Sequence, residues 1–348
     1  MFFRIVEMIT DMIQRGVPLH MKRNKYVKRV LFALLILILS FSVISMAVTV
    51  IFFHTAFPRS DTPGEFSYSY SQMEEEGYSY QKVKFPSGNN ILTGYFFAPA
   101  EPAALVVIAA GFGDGGTSHL AEMKSFVDSG YAVLCYDATG VGESEGSGQG
   151  GLSQPALDLD AALRFTADDD RSSTLPILLY GHSAGGYAVA TCLGHDCVKA
   201  AVIISGFDHP VQLMRESARP YVGLLADAEY PFLLLENQLV FGNSQKASAC
   251  ISNASKPVAV FEGINDERVP RSQRLSTTLK DADQTNISIS LCDEALRDGH
   301  SGLWLSTDAL NYRANHQGDT TVDPEKSNAL DREFISTVLA FYQSALND

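Results

Sequence analysis

The sequence is poor in several things at once. Its 348 residues include five cysteines and one tryptophan. Five scattered cysteines cannot make the dense cross-links of a small disulfide scaffold. Neither an H-E-x-x-H pair nor a paired C-x-x-C occurs, so no metal and no cofactor is expected. No segment repeats at a 20–50-residue period. The glycines and prolines follow no G-X-Y period, which excludes a fibrous protein. Positive charge is scarce, with 26 Lys and Arg against 40 Asp and Glu. A nucleic-acid partner is therefore not expected, because binding one needs a basic surface. Only 19% of residues are charged while 46% are apolar, the opposite of a disordered chain.

What is present is unevenly spread. Residues 1–59 hold eight basic residues and two acidic ones, whereas the remainder carries a net −20. Val30–Phe53 is a run of 24 residues without a charge or a proline. As a helix it would span ~36 Å, enough to cross a ~30 Å hydrocarbon core with some tilt. Lys22, Arg23, Lys25, Lys28 and Arg29 stand just before it, and Asp61 and Glu65 follow it. The positive-inside rule then places a basic segment, 1–29, in the cytoplasm and the long C-terminal part outside. A cleaved signal peptide is the rival, with Ser45-Met46-Ala47 as a small-x-small triplet; the apolar run continues past it to Phe53, favouring a retained anchor. Phe2, Ile5, Val6, Ile9 and Ile13 have the spacing of an interfacial helix. Met21 is an alternative start.

Residues 54–79 read as a linker, and the regular pattern starts at Tyr80. Short alternating strands at Tyr80–Phe85 and Ile91–Phe97 flank a Ser87-Gly88-Asn89-Asn90 turn. Apolar strands then alternate with helical stretches to the C-terminus. The strands are Ala104–Ala110, Tyr131–Tyr136, Ile177–Tyr180, Ala200–Ile204, Val258–Phe261 and Ile287–Leu291. Helical patterns fall near 118–129, 153–169, 184–194, 270–280 and 327–345. The expected fold of 80–348 is α/β, with a mainly parallel central sheet flanked by helices. About 50 residues, roughly 207–256, interrupt the alternation. Rich in Leu, Tyr and Phe, they are expected to form a helical cap over one end of the sheet.

Gly181-His182-Ser183-Ala184-Gly185 is a G-x-S-x-G match between a strand and an apolar helix. That turn lifts a serine oxygen clear of a sheet. A second match, Gly142-Glu143-Ser144-Glu145-Gly146, follows no strand, and its two glutamates would oppose an oxyanion. Ser183 is the candidate nucleophile and Ser144 is assigned to structure. A serine hydroxyl needs a base, and the base an orienting acid. His300, soon after the last strand, is preferred as base over His316. Asp266, in the loop after Val258–Phe261, is preferred as acid over Asp208. The order Ser183, Asp266, His300 is that of a strand-turn-helix nucleophile.

These residues carry a resemblance. From about Tyr80 to its end the chain resembles the α/β-hydrolase fold family, preceded by a single-pass anchor. Asp137-Ala138-Thr139-Gly140-Val141-Gly142-Glu143-Ser144 is similar to its D-x-x-G-x-G-x-S loop, and Gly263–Pro270 to its G-x-x-D-x-x-V-P acid loop. The resemblance implies an oxyanion hole made by the backbone amides of Ala184 and of Phe112, in the turn after the third strand. The family often has His-Gly at that turn, where this chain has Ala110-Gly111. The same turn, Gly111–Gly116, is a literal G-x-G-x-x-G, and Asp137 lies about 20 residues on, as in a dinucleotide site. The preceding hairpin and a helix that starts only near Ser118 argue against that reading.

Cys192 with Cys197, and Cys250 with Cys292, are possible bridges. Asn253 and Asn286 head glycosylation triplets. Together these features predict a membrane-anchored serine hydrolase acting on a small-molecule or lipid-like acyl substrate, with a carboxylic ester foremost. A serine peptidase of the same fold and a non-catalytic surface binding module are the alternatives.

Overall fold

The computed structural model describes residues 25–61, 64–242, 244–280 and 285–347. The interfacial-helix pattern, Met21 and most of the basic segment lie outside them. The chain divides into two units, Met1–Thr49 and Val50–Asp348. Helix α1, Lys25–Ala56, contains the stretch Lys28–Phe53, long and apolar enough to cross a membrane. By length and composition alone a signal sequence near the N-terminus would also qualify.

The second unit is built on a sheet that, among the described residues, has eight strands in the order β1-β2-β4-β3-β5-β6-β7-β8. β1 (Tyr80–Ser87) and β2 (Asn90–Phe97) form the expected hairpin. β2 runs antiparallel to β4 (Ala132–Tyr136). From there β3 (Leu105–Ala109), β5 (Ile177–His182), β6 (Val198–Ile204), β7 (Val258–Gly263) and β8 (Ile287–Cys292) are all parallel.

The alternation of strand side chains explains the two apolar layers. Leu105, Val107 and Ala109 enter one layer, with α4 (Gln154–Asp168) and α5 (Ala184–Thr191) packed over it. Val106 and Ile108 enter the other, beneath α3 (Leu120–Asp128) and α11 (Arg332–Asn347). Each fully buried Val, Leu or Ile contributes roughly 1.5–3 kcal/mol. This apolar surface on both sides is why the central strands read as unbroken apolar runs.

Two stretches depart from the helical periodicity. The pattern near 270–280 yields only a 3-10 turn at Arg271–Gln273 and one helical turn, α9, at Leu275–Thr278. Arg274 between them is extended, and its guanidinium donates to the carbonyls of Ile264, Asp266 and Val269. The other departure is α10, Thr307–Asn315, a polar helix capped by Ser306; its one buried residue, Ala309, left no apolar stripe to read.

Residues 57–79, read from composition as a linker, contribute buried side chains to the globular unit. Phe57, Tyr68 and Met73 are buried. Ser69 caps the short helix α2 (Tyr70–Glu75) in a capping box with Gln72, and Tyr70 stacks on Tyr95 with centroids 3.6 Å apart. After β6 come α6 (Pro210–Val222) and α7 (Leu224–Phe241), and then α8 (Ala247–Asn253), whose Ala247 and Ile251 join the layer of α4 and α5. Val211, Met214 and Leu233 of α6 and α7 form a small apolar cluster with Phe57.

Candidate active site

Ser183 sits between β5 and α5 at φ 55° and ψ −116°, a conformation that non-glycine residues rarely adopt. Close packing on both sides holds it there. A Cβ at Gly181 would come within 2.5 Å of the Gly185 carbonyl oxygen, and one at Gly185 would overlap the Ala109 carbonyl. Only glycine fits where the turn crosses β3. The Ser183 amide donates to the Ile204 carbonyl (2.9 Å), tying the turn to β6.

The structure brings the three predicted residues together. Ser183 Oγ is 2.9 Å from His300 Nε2, and His300 Nδ1 is 2.8 Å from Asp266 Oδ2. Asp266 accepts from the amides of Arg268 (2.8 Å) and Val269 (2.9 Å) through its other oxygen. Burial works against its charge, but the His300 hydrogen bond and charge, with those two amides, hold the carboxyl below its usual range. The His300 amide donates to Glu267 Oε2 at 3.1 Å.

The triplet opens on a cleft of about 310 Å³. Gly111, Phe112, Phe207, Leu213 and Val269 give it an apolar wall, and Asp114 and Arg268 add charge. Ala184, directly after Ser183, is buried, and Phe112 borders the cleft. The Phe112 ring stands edge-on to Phe57 at 5.2 Å.

The runner-up residues are occupied elsewhere. Asp208 Oδ1 accepts from the Ser248 amide (2.9 Å) and caps α8. His316 donates from Nδ1 to the Tyr312 carbonyl and stacks on the Tyr312 ring. Ser144 donates to the Asp137 carbonyl (2.6 Å) and accepts from the Thr93 amide (2.8 Å), a buried structural link. Asp137 accepts from the amides of Gly116 and Glu143, so it braces the glycine-rich turn rather than facing a nucleotide. All five cysteines are free thiols. Asn286 Nδ2 donates to the carbonyls of Ala254 and Lys256.

The strand order, the lone antiparallel β2 and the serine at a strand-turn-helix elbow define the architecture, and solved structures share it. The esterase Pf2001 of Pyrococcus furiosus matches with a TM-score of 0.58 and 17% identity, over 83% of this chain and 99% of that one. This chain has the α/β-hydrolase fold. Est1E of Butyrivibrio proteoclasticus, solved with ferulic acid bound, aligns at a TM-score of 0.54 and 17% identity, over 76% of this chain and all of that one. A Pyrococcus horikoshii acylaminoacyl peptidase aligns at 0.50 and 14% identity, over 79% of this chain and 43% of that one. A family model described as serine aminopeptidase, S33, matches residues 100–233 of this chain. That range includes Ser183 and stops short of Asp266 and His300. The quorum-quenching protein AidA of Acinetobacter baumannii is 29% identical over 126 residues, which is 35% of this chain and 41% of that relative's length.

Two residues of the site escaped sequence reasoning. His182 packs against Trp304, with centroids 4.8 Å apart. It also donates from Nε2 to the carbonyl of His300 at 3.1 Å. Burial, together with the charges of His300 and His119, pushes its imidazolium far below the usual value, so the ring is neutral. Asp114, inside the glycine-rich turn, borders the cleft; burial pushes its carboxyl up, with His119 and Arg268 acting against that. Within one sequence no spacing rule ties either residue to the site, because both act across elements distant along the chain.

Proposed function

We propose that the chain is a membrane-anchored serine esterase. Ser183 Oγ attacks the acyl carbonyl as His300 Nε2 takes its proton, and Asp266 holds the imidazole and balances the imidazolium that forms. The amides of Phe112 and Ala184 stabilise the oxyanion, each contributing on the order of 3 kcal/mol. His300 returns the proton to the leaving alkoxide. Water then attacks the acyl-enzyme with the same base, releasing the acid and free Ser183. The observation that carries this reading is the unbroken hydrogen-bond chain from Ser183 through His300 to Asp266, opening on the cleft. The apolar wall of Phe112, Phe207, Leu213 and Val269 favours an acyl chain over a charged group.

The membrane part of the proposal assigns 1–29 to the cytoplasm, 30–53 to the bilayer and the hydrolase, with its cap at 207–256, to the far side. Protease added to intact cells should degrade the hydrolase; full protection would overturn this orientation.

Fluorophosphonate labelling tests the chemistry. Wild type should label and Ser183→Ala should not, and unlabelled, folded wild type would refute the enzyme. A panel of p-nitrophenyl esters of rising chain length tests the substrate, with faster turnover of longer chains expected. The serine aminopeptidase description of the family model and the likeness to an acylaminoacyl peptidase favour a second reading, cleavage of an amide. Aminoacyl p-nitroanilides turned over faster than every ester would establish it.

A further inference from the structure

Surface helices of a globular protein turn their polar side to water. Helix α7 does the reverse. Leu224, Ala228, Pro231, Leu235 and Leu239 recur every three or four residues and so share one face. All five are exposed, Leu224 at 78% and Leu239 at 69%. None carries a charge. The charged side chains of α7 lie off this stripe, Asp227 paired with Arg215 of α6. Just before the stripe, Tyr221, Val222, Gly223, Leu224 and Leu225 are five consecutive exposed residues, with Tyr221 at 88%. Single exposed apolar residues are ordinary, but a continuous uncharged face with an apolar tip marks a contact surface.

The path of the chain names the occupant. Residues from Val50 onward belong to the same unit as the cap. Phe53 and Ala56, at the end of the membrane-length stretch, pack against the cluster of Phe57, Val211, Met214 and Leu233. The stretch therefore ends on the inner side of α6 and α7, opposite the bare face of α7. A bilayer that takes up Lys28–Phe53 ends beside the cap. An apolar helix face held there enters the boundary between headgroups and acyl chains, and a tyrosine at its tip suits that layer.

We propose that the exposed face of α7, with Tyr221 and Val222 at the end of α6, rests in the interfacial layer of the bilayer crossed by α1. This deepens the proposed function and rests on its membrane anchor. Leu213 of α6 borders the catalytic cleft, so the docked cap receives substrate from the lipid side. The substrate class that follows is an acyl ester dissolved in the leaflet, in preference to a water-soluble one.

Photolabelling of the full chain tests this. The protein is reconstituted in phosphatidylcholine nanodiscs containing a diazirine-bearing phosphatidylcholine, irradiated, and its adducts mapped by peptide mass spectrometry. Adducts are expected in two places, 28–53 and 221–239. The triple variant Leu224→Ser, Leu235→Ser, Leu239→Ser should lose cap adducts by about tenfold and keep those of 28–53. Its melting temperature serves as the folding control, and Leu239→Ser alone should give a smaller loss in the same direction. Adducts confined to 28–53 in wild type would overturn the docking. So would a 221–239 segment cross-linked to a second copy and free of lipid. No adducts at 28–53 would refute the anchor and the docking with it. Labelling needs no turnover, so a protein that carries both sets of adducts and hydrolyses no ester refutes the esterase and leaves the docking standing.

Discussion

His182, the neighbour of the candidate nucleophile, donates from Nε2 to the backbone carbonyl of His300, the candidate base, 3.1 Å away and 118 residues along the chain. Ser183 and His300, which meet through Oγ and Nε2, are thus tied by a second contact, from the side chain beside Ser183 to the backbone of His300. Removing it leaves a buried carbonyl without its partner, at a cost of about 1–3 kcal/mol. His182→Phe fills similar space without the donor. It should lower kcat about tenfold with little change in KM, because only positioning of the base is lost. An equal rise in KM with unchanged kcat would show that His182 contacts substrate instead.

The same substitution carries a pH signature. His182 stays neutral when folded, so its pKa lies below the unfolded value of about 6.5. As pH falls below that value the unfolded chain gains a proton that the folded one does not, and stability drops. His119 acts in the opposite sense. Burial lowers its pKa, but the Glu122 carboxylate, 2.7 Å away, outweighs this and raises it. Its stabilisation is full below about 6.5 and is lost as pH rises through the folded pKa. His182→Phe removes only the first effect. The gap in melting temperature between wild type and variant should narrow from about pH 7.5 to about pH 5.5; a widening gap would contradict a neutral His182.

Asp266→Asn and Asp208→Asn separate the two acid candidates. Only Asp266 reaches His300, so its amide should cost about 10⁴ in kcat by favouring the wrong tautomer. Asp208→Asn should retain fluorophosphonate labelling and lose about 1 kcal/mol of stability, the usual effect of weakening a helix cap. Stability owed to the depressed Asp266 pKa is present above about pH 3.9 and lost as pH falls through the folded value. It lies well below the window set by His182.

Gly185→Ala tests the elbow. The added methyl meets the Ala109 carbonyl, and backbone cannot move aside cheaply. A loss of about 3 kcal/mol is expected. In a domain of this size that lowers the melting temperature by ~6–12 °C. An unchanged melting temperature would mean that β3 and α5 are not so closely packed.

Ser144→Ala is the control for the second G-x-S-x-G. It removes the link between the Asp137 carbonyl and the Thr93 amide, for a loss of roughly 1–3 kcal/mol. Fluorophosphonate labelling of the folded variant should persist.

Much of this was legible in the residues. Unbroken apolar runs such as Leu105–Ala109 announced strands buried on both faces, and the break after Ser205 announced the helices Pro210–Val222 and Leu224–Phe241 inserted before β7. Ser183, Asp266 and His300 could be named because the elbow and the loops after β7 and β8 have local signatures. The polar helix Thr307–Asn315, the short helix holding Met73 and the buried Tyr68 before it were not legible. Nothing in their own periodicity separates them from loops, and only packing against distant elements orders them.

The division follows from the range of the forces involved. Strand and helix periodicity, the glycines of a tight turn and a long apolar run act within a few neighbouring residues, so the sequence by itself determined the sheet, the elbow and the membrane-length segment. Which carboxylate reaches His300, what His182 holds and which side of α7 faces outward depend on side chains brought together from far along the chain. Only the tertiary structure decided these, because distance, burial and the company of other charges exist only once the chain has closed on itself.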